Sequence, residues 1–243
     1  MRTRIKVCGI TREEDLDAAV AAGVDAIGFV FYEKSPRAVS LQQARRLVRR
    51  LPAWVASVGL FVNAPRAMVA QVADQVGLSH LQFHGDEPPE DCGGFGRPVI
   101  KALRLSTGSA RQPSSAGAAF PGPVSEAHLA TLADRVAAYV DCQAILFDAD
   151  SAGFGGSGQS FDWAALAGAF SKAPGLGATW VLSGGLESDN VGEAIAQLAP
   201  PCVDVSSGVE RLEAGGPVKG IKDATRIAQF VAAVRAADQH SAS

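Results

Sequence analysis

The chain has 243 residues, of which 47 % are hydrophobic, and a formal charge of −3. That is enough apolar material to fill a core, and the balance of charge gives no overall field that would draw nucleic acid or an anionic membrane, so an anionic ligand has to be met by local groups. Four widely spaced cysteines, with no Cys-x-x-Cys pair and no histidine at zinc-ligand spacing, argue against a metal or disulfide framework, and no apolar stretch qualifies as a membrane span. The first residues, Met1 to Lys6, run straight into a strand pattern rather than a secretion signal, so a cytoplasmic protein with reduced thiols is expected.

Eight short strand patterns follow one another at 5–8, 26–31, 56–62, 80–84, 98–103, 144–148, 179–183 and 202–206. Segments with helical spacing of apolar residues separate them, the signature of repeated βα units. In the first such segment Thr11 and Glu14 have the spacing of a capping box, with Leu16, Ala19, Val20 and Gly23 on one face. Similar stripes run through Ala44, Leu47, Val48 and Leu51, through Met68, Val69, Val72 and Val76, and through Ile227, Phe230, Val231 and Val234. Length and pattern together predict an α/β fold, a single (βα)8 TIM barrel forming one domain over 1–243. The stretch 106–125, dense in Ser, Gly, Ala and Pro, is expected to be a flexible insertion ahead of a helix at 126–139.

Alternation within the strands places Lys6 with Cys8, His80 with Gln82 and His84, Leu146 with Asp148, and Asp204 with Ser206 on the barrel interior. In such a barrel the carboxyl ends of the strands converge on one mouth, and the residues there are chemically capable. Cys8 closes the first strand, where it is either a small buried core residue or a reactive thiol. Asp148 leaves the sixth strand as a turn or cap residue or as an acid, with Asp150 as its competitor. Gly155, Gly156, Ser157 and Gly158 make either a connector or a loop over the site. Ser183, Gly184 and Gly185 end the seventh strand and Ser206, Ser207 and Gly208 the eighth, where small residues let backbone N–H groups bind a phosphate. Arg37 is a solvated loop arginine or a clamp for a carboxylate. Gln82 and His84 contact a ligand or fill the barrel, and Asp204 orients a partner or touches the ligand.

These residues fall within motifs that run through almost the whole chain. They are Lys6-Val-Cys-Gly-Ile-Thr, Gly28-Phe-Val-Phe leading to Ser35-Pro-Arg, Gly59-Leu-Phe-Val-Asn, Leu81-Gln-Phe-His-Gly-Asp-Glu and Ile100-Lys-Ala. They continue with Phe147-Asp, Gly155-Gly-Ser-Gly, Phe161-Asp-Trp, Leu182-Ser-Gly-Gly-Leu and Val203-Asp-Val-Ser-Ser-Gly-Val-Glu. The ordered set resembles the phosphoribosylanthranilate isomerases of tryptophan biosynthesis. The resemblance implies an aldose–ketose isomerase that needs no cofactor and converts N-(5-phosphoribosyl)anthranilate to 1-(2-carboxyphenylamino)-1-deoxyribulose 5-phosphate by an Amadori rearrangement. It further implies Cys8 as general base, Asp148 as general acid and Arg37 on the anthranilate carboxylate. The phosphorylated substrate is the expected partner, and helix stripes leave monomer and homodimer equally open. Two other readings are a carboxylate-pair phosphosugar isomerase, against which Cys8 at the first strand argues, and a silent phosphosugar-binding subunit. The chain departs from the compact family pattern at 106–125 and around 211–218.

Overall fold

The computed structural model describes residues 2–105, 134–149 and 180–240. Eight parallel strands hydrogen-bond in sequence order into a closed barrel: β1 (Arg4–Cys8), β2 (Ala26–Val30), β3 (Ala56–Phe61), β4 (His80–Phe83), β5 (Val99–Leu105), β6 (Ala144–Ala149), β7 (Trp180–Ser183) and β8 (Cys202–Val205). The ring closes where β8 pairs with β1, in a register running from Arg4 opposite Cys202 to Val7 opposite Val205. Each of the eight predicted runs overlaps one of these strands, with residue 179 outside the described residues. Their last residues at 31, 62, 84 and 206 have already left the ladder, which is where a side chain at the mouth gains freedom to face a ligand.

The described helices are α1 (Glu13–Ala22), α2 (Leu41–Val48), α3 (Arg66–Val76), α4 (Val191–Leu198) and α5 (Ala224–His240). Their buried faces meet the outward side chains of the strands in one apolar layer that includes Ile5, Phe29, Phe61, Phe83, Phe147 and Phe230. Burying each such side chain contributes roughly 1.5–3 kcal/mol, so this layer dominates the stability of the barrel. The predicted stripes on α2 and α5 face it, but Met68 on α3 does not: it is 43 % exposed, and Val69, Val72, Ala73 and Val76 make the buried face instead.

Two further expectations are corrected or fall outside. The capping box at α1 does not form, because Arg12 holds the cap position without a side-chain bond. The Thr11 hydroxyl donates instead to the carbonyl of Gly220 at 2.6 Å, so a tertiary contact displaces the local one. Ser40, by contrast, does cap α2, its Oγ accepting from Gln43 N at 3.2 Å. The stretch 106–125 and the cluster Gly155, Gly156, Ser157 and Gly158 lie outside the described residues, as does most of the predicted helix at 126–139, of which 134–138 is helical. The residues around 211–218 form an antiparallel hairpin of β9 (Glu210–Glu213) and β10 (Gly216–Lys222), which leads into α5.

Candidate active site

The carboxyl ends of the strands open into one cavity. Cys8 from β1, Arg37 from the loop after β2, Gln82 and His84 from β4, Asp148 from β6, and Asp204 from β8 all line it, together with Ser183, Gly184, Gly185, Ser206 and Ser207. Of the described residues expected at the site, Gly208 alone is not in this lining. It sits behind, where a Cβ would come within 1.9 Å of the Leu186 carbonyl oxygen, so its part is to let the loops after β7 and β8 approach. Asn190 fixes the first of these loops, donating to Gly185 O and accepting from Glu187 N, both at 2.9 Å. Val30, Leu60 and Val62 form with Cys8 a separate apolar patch that adds a dry wall to the cavity.

Cys8 pairs across the β1–β2 ladder with Gly28. A Cβ on Gly28 would lie 2.7 Å from the Cys8 sulfur, so the neighbouring strand makes room for the thiol by carrying no side chain there. Beneath it, Lys6 Nζ donates to Asp204 Oδ2 at 2.8 Å, both groups being buried inside the strand ring. Burial opposes the Lys6 charge, yet Asp204 and Cys8 hold its pKa above the ordinary value, so Lys6 stays a cation next to the thiol. Burial pushes the Cys8 thiol upward, and Lys6 and Lys222 offset this only in part while Asp204 adds to it. The resting site therefore favours the protonated thiol.

On the far side of the mouth a chain of hydrogen bonds reaches Asp148. Gln82 Nε2 donates to His84 Nδ1 at 3.0 Å, which places the ring proton on Nε2, 3.2 Å from Asp148 Oδ2. His84 thus donates to the carboxyl group of Asp148 and fixes its orientation at the mouth. Gln82 Oε1 and Asp204 Oδ1 are buried acceptors with no partner among the described residues. Both belong to cavity-lining residues, an arrangement suited to the hydroxyl groups of a sugar.

Arg37 is not a solvated loop residue, being 7 % exposed. Its Nε and Nη2 donate to the two oxygens of Glu210 at 2.6 and 2.8 Å. Its stem packs on Gly9, where a Cβ would fall 2.6 Å from Cδ. Lys222 joins this group, with Nζ 3.3 Å from Glu210 and 2.9 Å from Ser206 O, while the Ser206 hydroxyl donates to Cys8 O at 3.1 Å. Burial lowers the Lys222 pKa to about 8, against the pull of Glu210. Sequence reading gave no role to Gly28, Glu210 or Lys222. Glu210 ends a quoted motif, but nothing in its spacing points to Arg37, 173 positions away.

A closed (βα)8 barrel with a thiol, a carboxyl, a histidine and small-residue loops gathered at one mouth has the architecture of an enzyme for a small substrate. The comparisons with known proteins make this specific. The profile of the family described as N-(5'phosphoribosyl)anthranilate (PRA) isomerase matches residues 5–117 and 124–233. The chain is 45 % identical over 239 residues to the N-(5'-phosphoribosyl)anthranilate isomerase of Dechloromonas aromatica, covering 98 % of this chain and 99 % of that protein. It is 48 % identical to the same enzyme of Pseudomonas aeruginosa over 96 % of this chain and 95 % of that protein. Among solved structures, phosphoribosyl anthranilate isomerase from Thermotoga maritima superposes with a TM-score of 0.78 at 36 % identity, covering 96 % of this chain and 99 % of that one. A phosphoribosyl anthranilate isomerase in complex with reduced 1-(o-carboxyphenylamino)-1-deoxyribulose 5-phosphate superposes with a TM-score of 0.74 at 34 % identity over 96 % of this chain and 99 % of that one. The chain belongs to the phosphoribosylanthranilate isomerase family, and it is an isomerase of tryptophan biosynthesis.

Proposed function

We propose that Cys8 and Asp148 are the base and acid of this isomerisation, acting on one substrate held between them. The observation that carries the reading is their presence in the lining of a single cavity with Arg37 and the loops after β7 and β8. Asp148 gives its proton to the ring oxygen of the aminofuranose, the C1′–O bond breaks, and the anthranilate nitrogen becomes an iminium. His84 Nε2, 3.2 Å from Oδ2, stabilises the carboxylate left behind. The iminium acidifies the C2′ proton; Cys8, its own thiol proton released to solvent, removes it through Sγ as thiolate, and the electron pair moves into an enolamine that tautomerises to the aminoketose. The iminium is the electron sink, so the sequence of steps needs no cofactor.

Because the resting charges leave the thiol above its ordinary pKa, the charge that favours thiolate arrives with the reaction. A cationic iminium beside the sulfur adds to Lys6 and Lys222 at the step that needs a base. Arg37 meets the anthranilate carboxylate, and Gly184, Gly185, Ser206 and Ser207 hold the phosphate with Gly208 supporting their loop. Gln82, His84 and Asp204 face the ribose hydroxyls, and the apolar wall of Val30, Leu60 and Val62 faces the aromatic ring. We further place the whole of 1–243 in one domain of a cytoplasmic enzyme whose partner is its phosphorylated substrate, with 106–125 as a dispensable insertion. Sedimentation of the purified protein separates a monomer from a homodimer.

The test is replacement of each group alone. C8S and D148N should each lose about 10²- to 10⁴-fold in kcat while binding a stable reduced product analogue with near-native affinity. Wild-type turnover in either variant would sink the acid–base assignment.

A further inference from the structure

Glu210 is a carboxylate with no exposed surface, placed at the base of the β9–β10 hairpin and remote in sequence from every group that touches it except those of the hairpin itself. Such a group is costly to bury unless its oxygens are fully met. They are: Arg37 Nε at 2.6 Å, Arg37 Nη2 at 2.8 Å, the backbone N–H of Gly220 at 2.8 Å and Lys222 Nζ at 3.3 Å. Glu210 therefore brings two cations and the hairpin backbone to one point beside the cavity. The close fit extends to the backbone, since a Cβ on Gly220 would stand 2.9 Å from the Pro36 carbonyl oxygen.

The geometry of the bond decides what Arg37 has left to offer. A guanidinium carries five N–H donors in a rigid plane, and the edge formed by Nε and Nη2 is one of two that match a carboxylate. Glu210 takes that edge. The other edge, formed by Nη1 and the outer N–H of Nη2, keeps Nη1 without a partner among the described residues, and Arg37 lines the cavity that holds Cys8. A long side chain that would otherwise sample many rotamers is thus fixed with one fork closed and one open. We infer that Glu210 is a positioning residue for the isomerisation: by gripping the inner edge of Arg37 it presents the outer edge to the ortho carboxylate of the substrate, and so selects carboxylated arylamines over those without the group.

This inference rests on the proposed contact between Arg37 and the substrate carboxylate, and the experiment separates the two. Two stable reduced product analogues are compared for binding by calorimetry, one carrying the ortho carboxylate and one built on plain aniline. The readout is the ratio of their affinities. R37A should lose most of that ratio. E210Q, which keeps the volume but cannot accept from both Arg37 nitrogens, should lower it about tenfold, chiefly through weaker binding of the carboxylated analogue. The double variant R37A/E210Q should be no less selective than R37A alone, since Glu210 acts through Arg37. E210D retains the charge and should show a smaller loss of ratio, and it carries the test if E210Q fails to fold. A native ratio in folded E210Q or E210D, or an equal weakening of both analogues, would overturn the positioning role while leaving Arg37 in place. A native ratio in R37A would remove the carboxylate contact and this inference with it.

Discussion

Outside the strand ring the protein buries phenylalanine and aliphatic side chains; inside it, on the β1 and β8 side, it buries Lys6 against Asp204. Another part of the same interior is apolar, with Val58, Ile100, Ala102, Leu146 and Val181 in one cluster. The outer layer is held mostly by non-directional packing, with one buried ion pair of its own, Lys101 Nζ to Glu87 at 2.6 Å. The Lys6–Asp204 side is directional, and its ion pair contributes little net stability against what two apolar residues of the same volume would give. Its value lies in placing a fixed positive charge below Cys8. Stability and chemistry are thus drawn from two faces of the same strands.

The comparison breaks most sharply at Lys6. Changing Lys6 to Met leaves the buried Asp204 unpaired and should cost about 3–5 kcal/mol in chemical denaturation, of which K6M/D204L should recover the larger part. The same change removes a cation beside the thiol, so the alkaline limb of the pH–rate profile should move to higher pH; an unmoved limb would mean that Lys6 does not act on Cys8. In the outer layer, F230A should also cost about 3–5 kcal/mol, but kcat of the folded protein should remain at the wild-type value. G28A sharpens the contrast at the mouth. Its Cβ would press on the Cys8 sulfur, and overpacking of this kind costs typically about 1–3 kcal/mol, here with a loss of turnover that F230A lacks.

The smallest effect concerns acid. Although burial works against its charge, Glu210 is held below its ordinary pKa of 4.5 by Arg37 and Lys222. A group depressed in the folded state adds stability that is complete above its unfolded value and disappears as pH falls through the folded one. Denaturation midpoints of the wild type should therefore fall more steeply than those of E210Q once pH drops below about 4.5. Parallel acid limbs would show that Glu210 is not the ionised partner of Arg37.

What was legible in the sequence follows the same division. Strand runs and helix stripes report the outer layer, because area burial leaves a periodic trace; hence all eight strands were found, with ends in error by one or two residues. The candidate site was legible because a parallel barrel gathers strand ends, so Cys8, His84, Asp148 and Asp204 could be placed together without knowing what each touches. The partners were not. Lys6 meets Asp204 across 198 positions and Arg37 meets Glu210 across 173, and an ion pair between distant segments imposes no local pattern on either. The failed capping box is the reverse case: Thr11 and Glu14 have the right spacing, but Gly220 from the hairpin offers the hydroxyl a different acceptor. Met68 fits a helical stripe equally well, and only the position of the neighbouring strands decides that Ala73 is buried in its stead.

The absence of a side chain at Gly28 has a consequence for anyone transplanting this chemistry. A thiol placed as Cys8 is depends on two strands at once, because the sulfur occupies volume left open by the second strand. Cysteine and its bare neighbour behave as one steric unit written at two addresses, 8 and 28. A side chain introduced at position 28 therefore changes the room open to the thiol as surely as a change at position 8.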